Sequence, residues 1–236
     1  FHQSIPEQAF MYPLPISYYK RYKIRKYGFH GTSHQFVANQ AAKVLGKPLD
    51  KLRLITCHLG NGCSLAAIDR GKSIDTSMGF TPLEGLMMGT RSGDVDVAAI
   101  FYLMKKEKLS ISAMDDILNK KSGILGVFGL SNDFRVLSKS VKRGNRRAML
   151  AYEMFVYRLK KYIGAYYFIL GQPDAVCITG GIGEHSSKLV NIIKNDISKV
   201  YNGRTKVLII PTDEELMIAN LTYELVCSKL KGKVSK

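Results

Sequence analysis

The chain has 236 residues, 46% of them hydrophobic, and a formal net charge of +16; that apolar share supplies a buried core and excludes a disordered polyelectrolyte. No apolar run reaches the ~20 residues of a membrane helix, and Phe1, His2, Gln3 and Ser4 lack the basic start and apolar middle of a secretory leader, so a cytoplasmic protein without a membrane partner is expected. Cys57, Cys63, Cys177 and Cys227 show no C-x-x-C spacing, which excludes a zinc or dithiol motif and leaves reduced thiols that fill core space.

A charge of that size admits nucleic acid, a membrane surface or anionic substrates as partners. It lies in short clusters, at residues 20–26, Lys105 and Lys106, Lys142 and Arg143, Arg146 and Arg147, and Lys229 and Lys231. That spread favours solvated surface over nucleic acid. Tyrosines do interleave the first cluster, where Lys20, Arg21, Lys23 and Arg25 would be the RNA contacts.

In chain order, residues 1–15 hold Pro6, Pro13 and Pro15, lack strong periodicity and open without a methionine. They read as the continuation of a longer protein: the chain is a fragment, or a product whose first part lies elsewhere. Residues 16–26 are a basic, tyrosine-rich link. Residues 27–34 carry His30 and His34 and run into a helix that Thr32 or Ser33 can cap. Phe36, Val37, Ala41, Val44 and Leu45 supply its apolar face and Gly46 stops it. Two histidines at a helix N-terminus, where orphan N–H groups favour anions, make a candidate oxyanion or phosphate site.

Residues 54–69 place two apolar runs around Gly60, Asn61 and Gly62, the pattern of a β-hairpin. Its tip suits phosphate: Gly60 and Gly62 permit positive φ and close approach, while His58, Asn61 and Ser64 add donors. The alternative is an ordinary hairpin closed by Asn-Gly. Residues 71–96 form a long glycine-punctuated loop, too apolar for disorder, that presents Arg91 between Thr90 and Ser92. Its guanidinium fork suits a carboxylate or phosphoryl group, or else a salt bridge to Asp94 or Asp96.

Residues 98–106 and 112–119 read as short helices, and 122–127 as a flexible link. Residues 147–170 form the longest helix, with a core-facing stripe that includes Met149, Tyr152, Phe155 and Val156. A strand over 175–179 ends in the glycine turn of 180–185 and another helix, a geometry common at nucleotide sites. A strand over 206–211 precedes a helix capped by Thr212. Asp213, Glu214 and Glu215 in its first turn either serve the helix dipole or hold a metal or a metal-bound water.

Keeping their order, the motifs at 27–34, 57–62, 75–94, 131–135, 179–184 and 210–216 together resemble the acetate and propionate kinases of the sugar-kinase, Hsp70 and actin superfamily. The resemblance implies an α/β fold, a ribonuclease-H-like lobe with a mixed central sheet and helices on both faces. That lobe would cover residues 1–215, with 1–26 as its lead-in, and a helix over 216–236 would pack on an N-terminal lobe. The implied reaction is ATP plus acetate giving ADP plus acetyl phosphate, with Mg²⁺ or Mn²⁺. Propionate or butyrate kinase is the alternative, as is a non-catalytic nucleotide-binding remnant or half of a split enzyme.

By the same resemblance, His58, Leu59, Gly60, Asn61 and Gly62 would take the ATP phosphates. Asp133, Phe134 and Arg135 would line the nucleotide cleft, and Gly181, Ile182, Gly183, Glu184 and His185 would surround the adenosine. His30 and Arg91 would be catalytic, holding the transferring phosphoryl group and the acyl carboxylate. Phe29 and Pro82 would wall the acyl pocket, Glu214 would help position the metal, and a homodimer is implied.

Several features depart from the pattern. The family's N-terminal lobe, with a second phosphate hairpin, an active-site arginine and histidine, part of the acyl pocket and a catalytic aspartate, would precede Phe1. His185 stands where an asparagine is usual, Val97 where a proline is usual, and the span between Glu184 and Pro211 is short. Weak ATP binding and little or no phosphate transfer by the chain alone are expected, with Leu216, Ile218, Leu221 and Leu225 exposed on the last helix.

Overall fold

Side chains alternate across a strand, and in the middle strands of this protein both alternating sets are apolar. Strands β1 (Arg53–Leu59), β2 (Cys63–Asp69), β3 (Lys72–Thr76), β4 (Ala175–Thr179) and β5 (Lys206–Ile209) form one sheet in the order β3-β2-β1-β4-β5. The first three are antiparallel, and β4 and β5 run parallel to β1. Ile55, Cys57, Leu59, Leu65, Val176 and Ile178 point into one core, and Leu54, Ala66, Ile68, Ala175 and Cys177 into a second on the opposite face. A sheet buried on both faces needs helices on both.

The structure, a computed structural model, describes residues 1–201 and 203–234. The side chains of Lys229 and Lys231 and the last two residues of the expected C-terminal helix lie outside the described residues. The helices are α1 (Glu7–Phe10), α2 (Ile16–Tyr22), α3 (Gly31–Leu45), α4 (Val97–Glu107), α5 (Ile111–Lys120), α6 (Gly123–Phe128), α7 (Phe134–Lys142), α8 (Arg146–Leu170), α9 (Gly180–His185), α10 (Ser187–Tyr201) and α11 (Glu214–Val234). Helices α6, α7, α8 and α10 build the first core, while α3 and Met217 of α11 build the second. No helix among the described residues is long and apolar enough to cross a membrane.

The long helix and the β1–β2 hairpin match their sequence patterns. Other elements depart from them through tertiary contacts. Residues 72–76 leave the expected loop to pair as β3 on the open edge of β2, and residues 16–22 of the expected link are helical. Neither Thr32 nor Ser33 caps α3; its N-cap is His30 in the left-handed region, and Ser33 turns its hydroxyl toward His58 instead. Thr212 does not cap α11, because Asp213 accepts the Leu216 N–H at 2.9 Å. Val44 and Met149 are exposed rather than core. On α11, Leu216, Ile218, Leu221 and Leu225 are exposed as expected.

The expected flexible link is the opposite of flexible. Residues 123–128 form α6, with Ile124 and Phe128 in the core. The Ser122, Ile124 and Leu125 N–H groups donate to the Thr90, Met88 and Gly89 carbonyls at 3.0, 2.9 and 2.9 Å. These bonds hold the loop that carries Arg91. Gly123 makes the approach possible: its φ is +61°, and a Cβ there would sit 2.2 Å from Met88 O and 2.6 Å from Arg91 O. Left-handed strain alone is about 1–2 kcal/mol, and the backbone clash adds to it, so Gly123→Ala should cost about 3 kcal/mol or more. Calorimetry should record a melting temperature roughly 6–12 °C lower; an unchanged value would show that the loop yields freely.

Candidate active site

Strands β1 and β4 are parallel neighbours, with His58 in register with Thr179, so both end at the same sheet edge. The hairpin tip after β1 and the glycine turn after β4 are therefore adjacent, at the carboxyl ends where α/β sheets bind ligands. Gly180, at φ +81°, passes so close to the hairpin that a Cβ would lie 2.7 Å from Leu59 O. Between the two turns and α7 opens a cleft of about 660 Å³. Gly60 and Asn61 form one wall, Asp133, Phe134 and Arg135 the second, and Gly181, Ile182 and His185 the third.

Three of the expected site residues stand behind that wall. Leu59 is fully buried in the core. A Cβ on Gly183 would meet Ile178 at 2.6 Å, so this glycine packs α9 onto β4. Glu184 accepts the Gly180 N–H at 2.9 Å and braces the turn. Asn132, Lys142, Tyr152 and Lys188 also line the cleft, and motif reading did not single them out for it. Lys142 stood in a basic cluster, and its cationic neighbour Lys188 opens a helix; two cations at one cleft were the available signal. Arg135 grips Asp133 through two nitrogens, at 2.6 Å from Nη2 and 3.1 Å from Nε, and this pairing draws the carboxyl down to about 2.

The other side of the hairpin tip faces His30, His58 and Arg91. The tip's glycines do not adopt positive φ; they serve close approach instead. A Cβ on Gly62 would stand 3.3 Å from Arg91 Nη1 and 3.4 Å from His30 Cε1, and one on Gly60 would stand 3.6 Å from His58 Nε2. The His30 and His58 rings stack with centroids 4.2 Å apart. His30 Nδ1 lies 2.9 Å from Ser64 Oγ, and His58 Nδ1 lies 2.8 Å from Ser33 Oγ, which in turn meets Thr212 Oγ1 at 2.8 Å. Burial, reinforced by His58 and Arg91, pushes His30 down to about 4, and burial also lowers His58. Both rings are neutral near pH 7, so His30 supplies a hydrogen bond rather than a charge.

Arg91 does not pair with either expected aspartate. Asp94 accepts from the Gly85 N–H and Tyr162 at 2.8 and 2.7 Å, and Asp96 caps α4. Among the described residues the half-buried guanidinium has no ion pair, only the Pro82 carbonyl at 3.5 Å and Met88 Sδ at 4.0 Å. Pro82 therefore borders Arg91 directly, and Phe29 is partly exposed next to His30. Glu214 sits exposed in the first turn of α11, near enough that its charge acts on His30. The described residues contain no group of three or more His, Cys, Asp or Glu side chains placed to hold a metal. One exposed carboxylate fits magnesium, which binds one or two carboxylates together with substrate phosphates.

A mixed five-stranded sheet of this order, with a cleft between a strand hairpin and a second glycine turn, defines an α/β lobe with helices packed on both faces of its sheet. The profile of the acetokinase family matches residues 1–201, and the chain belongs to that family. It is 52% identical to an acetate kinase of Caldicellulosiruptor bescii over 248 aligned residues, covering 96% of this chain and 62% of the relative. Its fold superposes on the crystal structure of Porphyromonas gingivalis acetate kinase with a TM-score of 0.91, at 43% identity, over 96% of this chain and 62% of the other. A propionate kinase from Francisella tularensis subsp. tularensis SCHU S4 gives a TM-score of 0.86 at 40% identity, over 92% and 60%. The chain thus spans about 62% of the length of such curated relatives.

Proposed function

We propose that this chain is the nucleotide-binding lobe of a phosphotransferase that moves the γ-phosphoryl group of ATP to a short-chain carboxylate, with acetate first and acetyl phosphate as product. The observation that carries the reading is Arg91, a half-buried guanidinium with no ion pair among the described residues, set beside His30 at the glycine tip that also walls the cleft. Such a cation calls for an anionic partner. A nucleotide in the cleft would direct its phosphates toward Gly60, Asn61 and Gly62, and the terminal phosphoryl group toward His30 and Arg91.

Transfer of a phosphoryl group passes through a loose transition state, so alignment and charge neutralisation do most of the work. Arg91 supplies fixed positive charge and a planar fork, and His30 a neutral donor. Glu214 would hold Mg²⁺ jointly with the nucleotide phosphates, and the ion, or Mn²⁺ in its place, would neutralise charge on them. Phe29 and Pro82 would wall the acyl pocket, where one methylene discriminates by only about 1–3 kcal/mol, so propionate and butyrate are competing acceptors. The same reading makes the protein a cytoplasmic homodimer, and the exposed Phe101, Tyr102 and Leu103 of α4 offer apolar surface for pairing.

The test is a pair of measurements on the full chain. Calorimetric titration with Mg-ATP should give weak binding, with Kd on the order of a millimolar. Acyl phosphate, trapped as the hydroxamate, should form at an appreciable rate only after addition of the N-terminal lobe of a relative in trans. No ATP binding with or without that lobe would overturn the reading. Binding without transfer in the complemented mixture would favour a non-catalytic nucleotide-binding remnant.

A further inference from the structure

We propose that Thr56, His34 and Ser64 form a one-way hydrogen-bond relay that fixes the proton of His30 on Nε2, the ring nitrogen turned toward the hairpin tip. These three are positioning residues, placed behind the site rather than in it. The relay lies between α3 and the sheet, on the faces of β1 and β2 that meet the second core.

The contacts are short and continuous. Thr56 Oγ1 lies 2.7 Å from His34 Nδ1, His34 Nε2 lies 2.8 Å from Ser64 Oγ, and Ser64 Oγ lies 2.9 Å from His30 Nδ1. Thr56, His34 and Ser64 are all fully buried, so water cannot take up a spare proton or lone pair. His30 Nε2, by contrast, has no partner among the described residues and stands 3.6 Å from the position a Cβ would take on Gly62.

Proton counting sets the direction. A threonine hydroxyl has one hydrogen, and among the described residues that of Thr56 has no acceptor within reach other than His34 Nδ1. If it donates there, a neutral His34 carries its own proton on Nε2 and donates to Ser64. Ser64 must then send its single hydrogen to His30 Nδ1, which leaves the His30 proton on Nε2. In the reverse arrangement His34 and His30 would both be protonated on Nδ1, and the Thr56 hydrogen would be stranded in the core. A stranded buried donor disfavours that arrangement by about 5- to 100-fold. A doubly protonated His34 would still push the Ser64 hydrogen onto His30, and burial holds that ring well below the usual histidine range.

The direction decides what His30 offers an anion. With the proton on Nε2 the ring donates toward the tip; with the proton on Nδ1 it presents a lone pair and repels an anionic oxygen. Ser33 and Thr212 reach His58 in a similar way, but Thr212 is only half-buried. Its hydroxyl has water as an alternative, and the same count does not apply.

The proposal rests on the phosphotransferase reading only for the identity of the group that His30 faces, since the tautomer can be read without nucleotide. Isotope labelling of the histidine ring nitrogens in the full chain, followed by long-range proton–nitrogen correlation spectra at neutral pH, reports which nitrogen carries each proton. His34 and His30 should both be protonated on Nε2, by about fivefold or more over the other form. In Ser64→Ala, Thr56 still donates to His34 Nδ1, so His34 should keep its proton on Nε2, while His30 loses the hydrogen bond that fixes its tautomer and should populate the Nδ1 form measurably more. Ser64→Thr, which keeps a hydroxyl, should restore the parent pattern. Protonation of both rings on Nδ1 in the parent would overturn the relay even if Ser64→Ala failed to fold, and so would a folded Ser64→Ala whose His30 kept the parent's tautomer ratio. ATP titration of the same samples reports separately on the nucleotide reading.

Discussion

Replacing Arg91 by alanine should lower turnover in the complemented two-lobe assay by about a thousandfold, the scale on which an arginine at a phosphoryl-transfer transition state acts. The loop holds this guanidinium away from both neighbouring aspartates, each of which is engaged elsewhere. It is also absent from the residues that wall the cleft. The loss should therefore fall on kcat, with KM for ATP within about twofold of the parent, since the interaction removed is one made in the transition state. Arg91→Lys should recover little, because a single ammonium cannot reproduce a planar two-point contact. Added guanidinium ion should rescue the alanine variant in part. A loss of less than tenfold, or one confined to KM for ATP, would remove Arg91 from the chemistry.

Acidification from pH 7 to pH 5 should destabilise the fold by about 4 kcal/mol through His2 and His30, each contributing about 2 kcal/mol by linkage. Burial is the main cause of both depressions, and each ring falls to about 4. A histidine with a depressed folded pKa stays neutral while its unfolded counterpart, near 6.5, takes up a proton. The stability it contributes is therefore complete above pH 6.5 and is lost as the pH falls toward 4. His34 and His58 shift in the same direction and deepen the loss. Asp133, drawn down to about 2 by Arg135, titrates below this window. Calorimetric scans should show the melting temperature dropping by roughly 8–16 °C over those two pH steps. His2→Asn, which keeps a polar group beside Ser73 but cannot titrate, should reduce the loss by about 2 kcal/mol. A melting temperature independent of pH between 7 and 5 would mean that these rings are solvated.

Much of the architecture was legible because its signals are local. The short apolar runs of β1, β2 and β4, the long three-and-four spacing of α8, and the glycine turns after β1 and β4 each follow from backbone sterics and side-chain period within a few residues. Order along the chain supplied the rest: six short motifs, each common alone, occur together in one arrangement. The pairing of the two turns across one cleft follows from β1 and β4 being parallel neighbours, and a hairpin next to a strand–turn–helix unit already implies such an edge.

The misreadings share a cause. Thr32, Ser33 and Thr212 are good helix caps by local preference, worth about 1 kcal/mol each, yet Ser33 and Thr212 spend their hydroxyls on each other and on His58, 179 positions apart in the chain at their widest. Residues 123–128 look like a link because glycine and small apolar residues carry no periodic signal; they are a helix because their N–H groups meet the carbonyls of the Arg91 loop. Thus composition, spacing and motif order determined the class of lobe and the neighbourhood of the site. Only the folded chain decided which polar group meets which, including the freedom of Arg91 from its aspartates, because long-range hydrogen bonds of comparable strength override local preferences whenever burial makes an unmet donor costlier than a lost cap.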